Sequence, residues 1–131
     1  MAPSGIIRAA YPDDLKHVSS KTLNVAGLLV TVYGLDELST EAKTLTCLWL
    51  LHPRLCDQSY MEPIASSAIT TCNVELHTSG HIVSGGLIAV SFDQRNHGSR
   101  EISKTANNDW IGGNETHAQD MFAGYRRFPS K

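Results

Sequence analysis

Two short runs of almost uninterrupted apolar residues, 44–51 (Thr-Leu-Thr-Cys-Leu-Trp-Leu-Leu) and 87–92 (Leu-Ile-Ala-Val-Ser-Phe), constrain this chain more than any other feature. A strand with one wet face alternates apolar and polar side chains, so a continuous run predicts a strand covered on both faces, as in a parallel sheet. The stretch between them reads as a helix. Ser59 and Glu62 match a capping box, Pro63 falls in the first turn, and Ile64, Ala65, Ala68, Ile69 and Cys72 form one apolar stripe. Strand, helix and strand then close through a right-handed crossover. Ahead of them, Leu23 and Val25 precede Ala26-Gly27, and Leu29, Thr31 and Tyr33 alternate with Val30 and Val32, which predicts an antiparallel hairpin near a sheet edge, closed by Gly34. Behind them, Ala118, Met121, Phe122 and Tyr125 share a helical face, with Asn114 as its cap and Pro129 as its end. The predicted class is α/β: an N-terminal β-hairpin, then β-α-β-α with parallel strands.

The chain has 131 residues, enough for one core. Residues 1–20 are aperiodic and predict a loosely structured leader, residues 21–125 the domain, and residues 126–131 a divergent tail in which Arg126 and Arg127 read as a solvated or helix-terminal pair. Eleven Lys and Arg face thirteen Asp and Glu with no basic cluster, so nucleic acid is not an expected partner. No apolar run reaches membrane-spanning length, and the first residues lack the pattern of a secretory signal, so the expectation is a soluble, cytoplasmic protein with no membrane partner. Cys47, Cys56 and Cys72 lack zinc-site spacing and read as reduced thiols filling the core. His17, His77, His81 and His117 read as solvated or capping residues, and Trp110 as a packing one. No strand is followed by a phosphate-cradling glycine loop, so no nucleotide and no other cofactor is expected.

Open α/β sheets bind ligands beyond the carboxyl ends of their strands, and polar residues concentrate there in both cases. The first run continues into His52-Pro53-Arg54-Leu55-Cys56-Asp57-Gln58 and the second into Asp93-Gln94-Arg95-Asn96-His97-Gly98-Ser99-Arg100. A strand ending in His-Pro followed by one ending in Asp-Gln-Arg-Asn-His-Gly resembles the N-terminal portion of the α/β-hydrolase fold superfamily, in its esterase-like serine hydrolase members. The resemblance runs from about Lys21 to Tyr125. It implies an oxyanion-hole loop at His52, Pro53, Arg54 and Leu55, with an ester-like small molecule as substrate of full-length relatives. Pro53 stands where the family carries Gly and has no N–H, which leaves Arg54 or Leu55 as donor. Asp93, Arg95, Asn96, His97 and Gly98 invite a catalytic reading, yet a structural one is favoured: a carboxylate accepting from arginine and turn N–H groups holds such a turn, and Asn96 and Gly98 tolerate left-handed backbone. As metal ligands, Asp93 and His97 lack a third partner at recognisable spacing.

Ester hydrolysis on this fold needs a Gly-x-Ser-x-Gly elbow followed by an acid and a histidine, and none of the three is identified in these residues; the nearest string, Gly80 to Gly86, has the wrong spacing and precedes the second run. The chain therefore reads as a hydrolase-family piece that stops before the nucleophile, has no catalytic residue of its own, and is inactive alone. The alternative is a non-enzymatic binding or interaction module. The family's strand order places the fourth strand between the second and third and pairs the fifth with the third. Without a fifth strand, residues 44–51 become an apolar edge through which the chain is expected to self-associate.

Overall fold

The computed structural model describes residues 9–40, 42–78 and 85–125. The glycine-serine string at 80–84, His81, Arg126, Arg127 and Pro129 lie outside the described residues. The architecture is mixed α/β. Strands β1 (Ser20–Val25), β2 (Leu28–Tyr33), β3 (Thr44–Leu50) and β4 (Gly85–Phe92) form one open sheet in the order β1-β2-β4-β3, with helix α1 (Glu62–Thr78) between β3 and β4, and α2 (His117–Tyr125) after them. β1 with β2 and β2 with β4 are antiparallel, whereas β3 and β4 are parallel, joined through α1.

The hairpin turns on two residues, Ala26 at φ +52 and Gly27 at φ +85, with Val25 paired to Leu28 and the Asn24 side chain accepting from the Gly27 N–H at 2.9 Å. Two consecutive positive φ values are the type I′ geometry, which suits the right-handed twist of the strands. Alanine is a poor residue for its first central position. Ala26→Asn is expected to stabilise the chain by about 1 kcal/mol, because asparagine tolerates left-handed backbone that costs alanine about that much. Thermal unfolding checks this, and a Tm equal to or below the parent's would count against the turn assignment.

The core lies on both sides of β4. On the α1 side Tyr33, Leu50 and Ala89 meet Met61, Ala65 and Ile69; burial raises the Tyr33 phenol pKa above its ordinary value, against an opposing hydrogen bond with Ser91. Val30, Val32, Ile88 and Val90 cluster on the other face, with Leu35, Leu38 and Phe92 half-buried against them. The helical stripe read from sequence divides. Ala65 and Ile69 enter the core, while Ile64, Ala68 and Cys72 line an 850 Å³ groove beside Ala10 and Leu15. The first turn is also capped differently. Asp57, rather than Ser59, is the N-cap of a short 3-10 turn leading into α1, and it accepts from the Ser59 N–H.

Residues 9–19 carry no strand or helix, and their second half is pinned to the domain. The Ser19 amide and hydroxyl both donate to Glu37, at 2.7 and 2.6 Å, and the Val18 side chain packs on the core. Partial burial pushes the Glu37 carboxyl pKa up, but the Ser19 donors outweigh it and hold the value below the ordinary one.

β3 departs from the expectation of a strand covered on both faces. Leu48 and Leu50 pack toward α1, but Leu45, Trp49 and the following Leu51 are 56%, 63% and 57% exposed. β3 is the outer strand of the described sheet, so its run of apolar residues is covered on one face only.

Candidate functional site

The loops that leave β3 and β4 run side by side, and a buried histidine joins them. His52 is 2% exposed; its Nδ1 lies 2.9 Å from the Pro53 carbonyl oxygen and its Nε2 accepts from the Gln94 N–H at 3.0 Å. Those partners assign the proton to Nδ1 and make the ring neutral. Gln94 returns the contact by donating its side-chain amide to the His52 carbonyl at 2.5 Å. Asp93 Oδ1 is 4.0 Å from Nε2, and its carboxylate is committed elsewhere.

Asp93, 3% exposed, accepts from the Gln58 N–H at 2.7 Å through Oδ1, and from the Ser99 N–H and hydroxyl at 2.8 and 2.7 Å through Oδ2. It thus ties the end of β4 to the turn that starts α1. Arg100 donates to the Asp93 main-chain carbonyl at 3.0 Å, and Arg95 is exposed. Asn96 and Gly98 take the left-handed backbone, at φ +60 and +51. The Asn96 side chain is saturated: Oδ1 accepts from the Ile102 and Ser103 N–H groups, and Nδ2 donates to the Ser103 carbonyl and to Asn107 Oδ1. His97 donates from Nδ1 to the Arg95 carbonyl at 2.9 Å, while its Nε2 is buried without a partner, with the ring 5.3 Å from that of His52. The donors to the Asp93 carboxylate are thus main-chain N–H groups and a serine hydroxyl, while the arginine contact goes to its main-chain carbonyl. Among the described residues no group of three or more His, Cys, Asp or Glu could hold a metal ion.

On the β3 side, the Cys56 N–H returns to the Pro53 carbonyl at 3.2 Å and Leu55 sits at φ +65. This is the positive angle that a type II turn requires at its third residue, where glycine or asparagine is usual. Arg54 and Leu55 carry main-chain N–H groups on this strained turn, and Pro53 carries none. Burial, and then the neighbouring Asp57, raise the Cys56 thiol pKa above its ordinary value, which leaves that sulfur a poor nucleophile.

The sequence reading missed what the Arg54 side chain does. Its Nη2 donates to the Asn107 and Asn108 carbonyls at 2.5 and 2.7 Å, and its Nη1 to His117 Nε2 at 3.1 Å. His117, read as solvated or capping, is 8% exposed, with Nδ1 3.0 Å from the Asn108 carbonyl and Trp110 edge-on to its ring. Asn114, read as the cap, lies three residues before α2, and its Oδ1 accepts from the N–H of Thr116, the residue preceding the helix. His17 is exposed and bonded to Glu62, in keeping with a solvated residue. No periodicity could have found the Arg54 clamp, because its partners lie more than fifty positions away.

The large groove beside α1 is lined by none of the strand-end residues described above. No helix among the described residues is long and apolar enough to cross a membrane. Comparison with protein-family models, with curated proteins and with solved structures gave no match.

Proposed function

We propose that this chain carries the oxyanion side of an α/β-hydrolase-type ester-cleaving site without its nucleophile, acid or base, and does not turn over ester by itself. The observation that carries the reading is the mutual clasp of His52 and Gln94, which brings the two resembling motifs together at one end of the sheet. The strand order β1-β2-β4-β3, with only β3 and β4 parallel, is the order that the resemblance implies, and it supports the same reading. The Arg54 side chain ties the Pro53 to Cys56 turn to the Asn107 and Asn108 carbonyls, which supports the fixed loop shape that oxyanion donors on this turn would need.

The test is chemical. The 131-residue chain, treated with a fluorophosphonate probe and with short-chain nitrophenyl esters, is expected to remain unlabelled and to leave hydrolysis at the buffer rate. A covalent adduct mapped to one of its serines would overturn the reading. The interaction-module alternative draws on a different feature, the outer edge of β3.

A further inference from the structure

We infer that His117 is a pH-controlled latch: its neutral ring seats α2 against Arg54, and uptake of a proton by that ring releases α2 from the turn that follows β3. The inference stands on the geometry of the clamp and not on the hydrolase reading. α2 has nine residues, too few to be a stable helix by itself, so it depends on what it packs against. Among residues 117–122 only His117 is buried. Ala118 and Gln119 are exposed, and Met121 and Phe122 are 43% and 69% exposed. With so little apolar surface removed from water, the polar contacts of His117 decide whether α2 stays docked.

Those contacts suit one protonation state. The Arg54 Nη2 protons are taken by the Asn107 and Asn108 carbonyls, which leaves His117 Nδ1 as donor to the Asn108 carbonyl at 3.0 Å and Nε2 as acceptor from Nη1 at 3.1 Å. An imidazolium donates from both nitrogens and accepts at neither. Its Nε2–H would meet the Nη1–H head on, and a second positive charge would stand 3.0–3.1 Å from a guanidinium that keeps its own. The site is nearly closed to water, so solvent does little to screen the pair. Among the described residues neither His117 nor Arg54 forms an ion pair with a carboxylate that would offset the added charge. The acids nearest in sequence are engaged elsewhere: Asp109, on the preceding loop, accepts from the Gly112 N–H, and Asp120, on α2, accepts from Asn114 and Thr116. The remaining neighbours of the ring, Trp110 from the loop and Met121 beside Arg54, carry no charge.

Hydrogen exchange of the full chain, followed residue by residue by NMR and corrected for intrinsic rates, reads the latch. Between about pH 7.5 and about pH 5, where imidazoles change charge, the amides of residues 121–125 are expected to lose protection by about tenfold or more while those of β4 keep theirs. The His117 ring resonances and the 121–125 amides should move with one midpoint. His117→Gln supplies a carbonyl that can accept from Nη1 and takes up no proton in this range, so α2 should stay protected throughout. If circular dichroism shows that this variant does not fold, the shared midpoint in the parent decides. Residues 121–125 unprotected already at pH 7.5, a His117 ring that titrates while their protection stays constant, a loss that β4 shares, or an acid response kept by a folded His117→Gln variant would each overturn the latch.

Discussion

Gly98→Ala is expected to cost on the order of 4 kcal/mol and to lower the Tm by roughly 15 °C, a large part of the stability of a domain this size. At Gly98, φ is +51, and a methyl group would lie 2.5 Å from Asp93 Oδ2 and closer still to Oδ1 and Cγ. The backbone angle alone costs an alanine about 1–2 kcal/mol. The contact costs more, because the carboxylate cannot retreat without releasing the Gln58 and Ser99 donors that it satisfies, at about 1–3 kcal/mol for each donor left without a partner. Gly27→Ala separates the two contributions: φ there is +85, further from what alanine prefers, and nothing lies within 4 Å of the added carbon. If the Gly98 variant proves no less stable than the Gly27 variant in thermal or urea unfolding, the close approach of Gly98 to Asp93 is not part of what holds the fold.

Asp93→Ala is expected to destabilise by about 3–5 kcal/mol, since it removes at one stroke the acceptor of two main-chain N–H groups and a hydroxyl in a nearly buried place. Asp93→Asn keeps one oxygen and presents an N–H pair to the remaining donors, so about half of that loss is expected. Removing the carboxylate also removes what a methyl at Gly98 would strike. The two alanine substitutions together should therefore fall short of the sum of their separate costs by at least about 1 kcal/mol. Strict additivity would mean that the two positions act independently. A Tm for Asp93→Ala within about 2 °C of the parent's would remove the structural role given to this carboxylate.

Much of this architecture was legible in the residues themselves. The Ala26-Gly27 turn, the strands on either side of α1, and left-handed backbone at Asn96 and Gly98 are local matters, decided by the conformations a side chain permits and by how apolar positions repeat over a few residues. The His52 and Asp93 segments could likewise be placed at strand ends from where the apolar runs stop. Their internal chemistry could not. That Asp93 holds Gln58, that Gln94 clasps His52, and that Arg54 reaches Asn107, Asn108 and His117 depends on which loops the sheet brings side by side. A carboxylate or guanidinium in a sequence advertises a capacity for hydrogen bonds, not the address of its partner.

The exposed β3 shows the same division. Period and composition report how many faces of a strand are apolar, and they read residues 44–51 as fit to be covered on both. Whether something covers them is a property of the neighbours. β4 lies between β2 and β3, so it is buried by partners on either side, while β3, with as apolar a sequence, is left at the rim with Leu45 and Trp49 in the open. The chain by itself determined its turns, its strands and helices and which side chains seek an interior; only the packed sheet decided which of them found one, because burial and hydrogen-bond partnership are set by segments far apart in sequence.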